Sequence, residues 1–242
     1  MLAKFLIIGF ASVNAFFNPS VRLSSGKTAS IIGQGPPILF STGLFGTMPN
    51  HMYGNIMNEL KKNMTIISID GIQPIGPKDI TEVTDSLKVD SIAYMSHSSF
   101  NPTILETKRI NSAVLLDPIC IPDVNLNGVQ QHSVNVDFPV LIIRAEKLYD
   151  TDNPLPNWQE IDIKGNNVED EIYDGVGHPD ILDDIWGNIA QKIGLWGTAQ
   201  GKKMSFKEWK FDNKNTVPLI RKDFRKYVSE RALGFINKHL SI

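Results

Sequence analysis

Ser91-Ile92-Ala93-Tyr94-Met95-Ser96-His97-Ser98-Ser99-Phe100 decides how the rest of the chain is read. Ser91 to Met95 is an apolar run of strand length. It stops on small polar residues, and Asn101-Pro102 then opens a helix. Similar runs lie on either side. Pro37 to Ser41 is continuous and apolar and ends in Thr42-Gly43, and Met64 to Asp70 is stopped by Gly71. Ala113 to Leu116 and Phe138 to Ile143 follow, with Glu171 to Tyr173 as a short sixth strand. Between them Asn50 to Lys62 places Met52, Tyr53, Ile56, Met57 and Leu60 at helical spacing. Asp79 to Leu87 is a weaker helix; Pro179 to about Ile193 and Pro218 to His239 are predicted helices. Near-continuous apolar strands alternating with helices predict an α/β chain, a mostly parallel sheet covered by helices on both faces. Gly194 to Asn215 reads as an exposed loop, and no internal repeat is present.

In an open sheet of this kind the site lies beyond the carboxyl ends of the strands. Ser96-His97-Ser98 follows the third strand and is a variant of the G-x-S-x-G elbow, which lifts a serine hydroxyl on a tight turn. Asp117-Pro118 follows the fourth strand, and Gly175-Val176-Gly177-His178 follows the sixth. Ser98, Asp117 and His178 then fill the roles of nucleophile, orienting acid and base, because a neutral serine needs a histidine to take its proton. Serine, acid, histidine is also the chain order of α/β-hydrolases. Thr42-Gly43-Leu44-Phe45-Gly46 supplies an oxyanion amide, assigned to Leu44, and Ser99 supplies the second. Asp150 or Asp152, beyond the fifth strand, is the rival acid; Asp117 is preferred because it directly follows a rigid strand. His97 is read as a partly exposed loop residue and Cys120 as a small buried side chain.

Ser96-His97-Ser98, Leu116-Asp117-Pro118 and the segment from Gly177 through His178, Asp180, Asp183 and Asp184 resemble chlorophyllases. The resemblance runs from about Pro36 to the C terminus. It implies a compact α/β-hydrolase fold and a carboxylic ester hydrolase that releases phytol from chlorophyll, with Ser98, Asp117 and His178 as its triad. There are departures. Ser96 and Phe100 replace the glycines that flank the family's elbow, so Phe100 must point away from the elbow. The oxyanion loop begins Thr42-Gly43 rather than His-Gly. Only 19 positions separate Ser98 from Asp117, which leaves room for a short helix. The chain is smaller than family members, as though the first strands were lacking. A general esterase or lipase-like hydrolase, and a non-catalytic pigment- or lipid-binding protein of the same fold, are the alternatives.

Composition narrows the setting. The 242 residues suit one domain, and 24 basic against 26 acidic residues leave no basic field for nucleic acid. One cysteine and five scattered histidines offer neither a disulfide nor a zinc-ligand spacing, so no metal or cofactor is expected. The first acidic residue is Glu59. Lys4, an apolar run from Phe5 to Val13 and Ala15 have the shape of a signal peptide, and the Ser-rich, acid-free stretch to Ser30 that of a transit peptide. Ala15-Phe16 and Pro19 loosely match the bipartite presequence of secondary plastids; plain secretion is the alternative. The expected layout is therefore a presequence over 1–30 and one hydrolase domain over 31–242. The expected partner is a hydrophobic ester, chlorophyll or lipid-like, with at most peripheral membrane contact.

Overall fold

Eight strands form the central sheet of the structure, a computed structural model that describes residues 20–46, 48–70, 74–98, 100–120, 133–147, 159–190 and 218–240. In chain order they are β1 (Ser20–Arg22), β2 (Thr28–Gly33), β3 (Pro37–Ser41), β4 (Thr65–Asp70), β5 (Ile92–His97), β6 (Ile110–Leu116), β9 (Val140–Lys147) and β12 (Val168–Gly177). Their spatial order is β1-β2-β4-β3-β5-β6-β9-β12. β1 pairs antiparallel with β2, and β2 antiparallel with β4; every later pairing is parallel. The order reverses between β4, β3 and β5, the place at whose carboxyl ends an open sheet is expected to hold its site.

The helices are α1 (Gly43–Gly46), α2 (Gly54–Leu60), α3 (Pro77–Leu87), α4 over 184–190 and α5 (Pro218–His239). A 3-10 turn, Asn50–Tyr53, leads into α2. Side chains alternate along each strand, so one face of the sheet packs Leu39, Tyr94 and Leu115 beneath Ile80 and Val83 of α3. The other packs Phe40, Met95 and Leu116 against α2 and α5. Phe224, Val228, Ala232 and Phe235 form the stripe of α5 that faces this core. Both faces are buried, which is why these strands read as unbroken apolar runs rather than alternating ones.

Four expectations are revised. The supposed transit segment up to Ser30 carries β1 and half of β2, so the domain includes residues from Ser20 onward and the first strands are present. Its low acid content misled because its partners supply the acids. Lys27 Nζ meets Asp79 Oδ2 of α3 at 2.5 Å in a buried pair and donates to the Pro74 carbonyl at 2.6 Å. Ser24 and Ser25 bond Glu82 and Asp79 on the same helix. Residues 1–19 lie outside the described residues.

The link after Ser98 is a 3-10 turn, Pro102–Glu106, rather than an α-helix, in keeping with the short spacing to Asp117. The short sixth strand is a ten-residue edge strand, because Arg144, Tyr227 and Arg231 bond the acids that masked its periodicity. The helix expected from Pro179 begins as a 3-10 turn, His178–Ile181, and becomes α-helical only at 184. Short strands β7 (Ile119–Cys120) and β10 (Gln159–Glu160) pair antiparallel; β8 (Ser133–Asn135) and β11 (Asp162–Lys164) pair parallel. Residues 121–132 and 148–158, the latter including Asp150 and Asp152, and the stretch Gly194 to Asn215 lie outside the described residues.

Candidate active site

β5 ends at His97, and Ser98 turns the chain with φ 65°, a left-handed conformation that a non-glycine residue adopts at a cost. Two backbone bonds hold the turn: Ser98 N–H donates to the Leu116 carbonyl at 3.0 Å, and its own carbonyl accepts from Ile119 N–H at 3.4 Å. Phe100, expected to point away from the elbow, packs in the core against Tyr94, ring centroids 6.0 Å apart. Asp117, just past the neighbouring strand β6, is also left-handed, with φ 43°. Its N–H donates to the Ile143 carbonyl at 2.7 Å. The third member arrives through an irregularity in β12, between Tyr173 and Gly177. Gly175 there has φ 78°, and its N–H donates to Glu146 at 2.7 Å. A bulge of this kind re-aims the strand end, and it delivers His178 to the serine.

The structure brings the three predicted residues together. His178 Nε2 lies 2.9 Å from Ser98 Oγ, and His178 Nδ1 lies 2.5 Å from Asp117 Oδ2. The other carboxylate oxygen of Asp117 accepts from Ala145 N–H at 3.3 Å. A carboxylate can only accept here, so Nδ1 carries the imidazole proton and Nε2 is free to accept from the serine hydroxyl.

The loop after β3 closes over the same spot. A methyl group on Gly43 would come within 2.7 Å of Met48 Sδ, 3.0 Å of the Tyr53 hydroxyl and 3.4 Å of Ser98 Cβ, so a larger residue there would have to push Met48 aside. Gly43 N–H donates to the Tyr53 hydroxyl at 2.8 Å. Leu44 is the next residue of α1, and its N–H has no intrahelical acceptor. Ser99, the other expected oxyanion donor, lies outside the described residues, as does the Cys120 side chain.

His97 differs most from expectation. It is buried at 2% exposure, with Nδ1 2.8 Å from the Tyr53 hydroxyl and Nε2 3.1 Å from the His178 carbonyl. Its ring stacks on His178, centroids 4.6 Å apart at 30°. Burial, and then the neighbouring His178, hold its pKa well below the usual histidine value. Two positive charges at that separation would repel by about 4 kcal/mol at an effective dielectric near 20. A neutral His97 therefore places no like charge beside His178. Sequence reading missed this because Tyr53, forty-four positions away, supplies the contact.

The acids after His178 tie its loop to the helices. Asp180 accepts from Gly177 N–H at 2.8 Å and forms a buried ion pair with Arg221 of α5. Asp183 accepts from Asn55 N–H at the start of α2, and Asp184 pairs with Arg225 at 2.7 Å.

No protein-family model matches the chain, and no curated protein sequence matches it. Solved structures do. Naproxen esterase (carboxylesterase NP) from Bacillus subtilis superposes with a TM-score of 0.50 over 72% of this chain and 89% of that one, at 12% identity. The chain has the α/β-hydrolase fold. Epoxide hydrolase CorEH aligns over 75% of this chain and 98% of its own, at 13% identity and a TM-score of 0.49.

Proposed function

We propose that the protein is a serine carboxylic ester hydrolase. The observation that carries this reading is the unbroken chain from Ser98 Oγ through His178 to Asp117, built on three strand ends of one sheet. Ser98 Oγ attacks the ester carbonyl carbon while His178 Nε2 takes its proton. The oxyanion is met by the Leu44 amide and, as expected from the elbow, that of Ser99. His178 then returns the proton to the departing alcohol, and Asp117 steadies the imidazolium throughout. Water attacks the acyl-serine with His178 as base, releasing the acid and restoring Ser98.

The finer reading is a chlorophyllase-like reaction, chlorophyll to chlorophyllide and phytol. The resemblance of the Ser98, Asp117 and His178 segments supports it, and the anchoring of Asp180, Asp183 and Asp184 explains why such an acidic stretch follows the histidine. Plastid targeting by the residues before β1, and a greasy substrate met at a membrane surface, belong to the same proposal. Phe100, which motivated the non-catalytic binding alternative, fills the core and not the cleft. Purified protein should hydrolyse p-nitrophenyl butyrate and form a covalent adduct with an organophosphonate, and Ser98→Ala should abolish both. Labelling that survives in Ser98→Ala would refute the assignment. Chromatography for chlorophyllide then separates a chlorophyllase from a general esterase.

A further inference from the structure

Four polar groups that the catalytic sequence does not use join end to end beneath the serine. Gly43 N–H donates to the Tyr53 hydroxyl at 2.8 Å, Tyr53 lies 2.8 Å from His97 Nδ1, and His97 Nε2 lies 3.1 Å from the His178 carbonyl. The proton positions follow from chemistry. A carbonyl only accepts, so His97 Nε2 carries a proton. The ring is neutral in its buried setting, so Nδ1 accepts and the Tyr53 hydroxyl donates to it. Each group then has its partner, and the direction of the chain is unique.

We propose that Tyr53 and His97 are positioning residues for ester hydrolysis, a buried hydrogen-bond relay that locks the oxyanion loop at Gly43 to the backbone of the catalytic base at His178. This rests on the ester-hydrolase reading of Ser98. The relay joins the parts that must move least relative to one another. Gly43 precedes the amide assigned to the oxyanion, His97 precedes the nucleophile, and the His178 carbonyl belongs to the base itself. Tyr53 is fully buried among apolar neighbours, where phenylalanine would fill the same space. Its hydroxyl is explained by the two groups it bridges. Met48 Sδ lies 3.7 Å from that hydroxyl and packs against Gly43.

The test begins with Ser98→Ala on p-nitrophenyl butyrate. If that variant keeps its turnover, the reading of the site falls and the relay with it. Once dependence on Ser98 is established, later failures count against the relay alone. Tyr53→Phe, which keeps the ring and loses the hydroxyl, should lower kcat by about 10–100-fold with KM changed by less than about twofold, the signature of an interaction made in the transition state. His97→Leu should fall in the same range. His97→Gln offers an amide N–H to the His178 carbonyl and should recover about tenfold over His97→Leu. The double variant Tyr53→Phe/His97→Leu should lose little more than the worse single one, because both break one unit. A kcat within twofold of wild type in a folded Tyr53→Phe overturns the proposal. So does a loss confined to KM, a Gln variant no better than Leu, or fully additive losses. A fall in melting temperature with unchanged kcat marks a purely structural contact and overturns it as well.

Discussion

Arg221→Met should destabilise the protein by about 3–5 kcal/mol, the scale for removing one partner of a buried ion pair. Arg221 and Asp180 are 1% and 5% exposed, and the guanidinium Nε bonds Asp180 Oδ1 directly. Without Arg221 the carboxylate retains the Gly177 N–H at 2.8 Å, one hydrogen bond for a whole buried charge. Arg221 also holds Asn188 on α4, so methionine cuts a second tie between helices. For a chain of this size the loss corresponds to a melting temperature lower by about 6–20 °C. Gly177 immediately precedes His178, so the loop that presents the base loosens as well. A displacement near 1 Å costs on the order of 100-fold in rate, and kcat measured well below the melting temperature should drop by about 10–100-fold. Urea titration and thermal unfolding followed by circular dichroism measure the first effect, and p-nitrophenyl ester turnover the second. The double variant Asp180→Leu/Arg221→Met, with no charge left to bury, should regain most of the stability but not the rate. An Arg221→Met cost below about 1 kcal/mol would refute the reasoning. A full stability loss with unchanged turnover would refute the link to His178.

Two further outcomes are expected. The folded-state pKa of His97 is depressed, so from about pH 6.5 downward the unfolded chain binds a proton that the folded chain does not, and stability falls with pH at up to about 1.4 kcal/mol per unit. His97→Gln should lack this component; Tyr53 and His178, which face the ring, are present in both proteins and cancel. Identical slopes in urea titrations between pH 5 and 6.5 would rule the effect out. Deletion through residue 30 should destabilise far more than deletion through residue 19, since it removes β1, half of β2 and the buried Lys27–Asp79 pair. Equal melting temperatures for the two truncations would return those residues to a dispensable presequence.

What the sequence made legible was what depends on position along a strand. Ser98, Asp117 and His178 could be found because an open sheet presents chemistry just past its strand ends; Ser98 and Asp117 each follow a run, β5 or β6, whose burial on both faces makes it unmistakably apolar. What stayed hidden depends on partners remote in sequence. β1 and β2 are short, and the ion pair and hydrogen bonds that hold the turn between them come from α3, more than fifty positions on. β12 carries three acids in a row, Glu169 to Glu171, and its identity becomes plain only once Tyr227 and Arg231 are seen to bond Glu169 and Glu171. His97 looked like a loop residue because nothing local says that a tyrosine hydroxyl and a distant carbonyl will take up its two nitrogens.

Asp117→Asn is the substitution that tests the acid most cleanly, and the backbone is the reason. Asp117 sits at φ 43°, where asparagine and aspartate are tolerated but alanine is strained, so the amide variant keeps the turn. Two donors converge on the carboxylate: His178 Nδ1–H on Oδ2 at 2.5 Å and Ala145 N–H on Oδ1 at 3.3 Å. Asparagine has one acceptor oxygen, so one of the two must face an NH2 group. If His178 loses the contest, its proton moves to Nε2, and the atom that should accept from Ser98 becomes a donor. If Ala145 loses it, a β9 amide stays unsatisfied beside a base whose cation has no counter-charge. Either way the imidazolium is no longer stabilised, and kcat on p-nitrophenyl butyrate should fall by about 10⁴-fold, as when such an acid is neutralised. Stability should change by no more than about 1–3 kcal/mol, the cost of one unsatisfied buried group. Asp150→Asn, in the segment after β9, should cost less than about tenfold, as for a residue outside the catalytic unit. If instead Asp150→Asn abolishes turnover while Asp117→Asn preserves it, the bond between Asp117 and His178 is structural only. The acid then belongs beyond β9, and the Asp117-Pro118 segment no longer supports a chlorophyllase-like reaction.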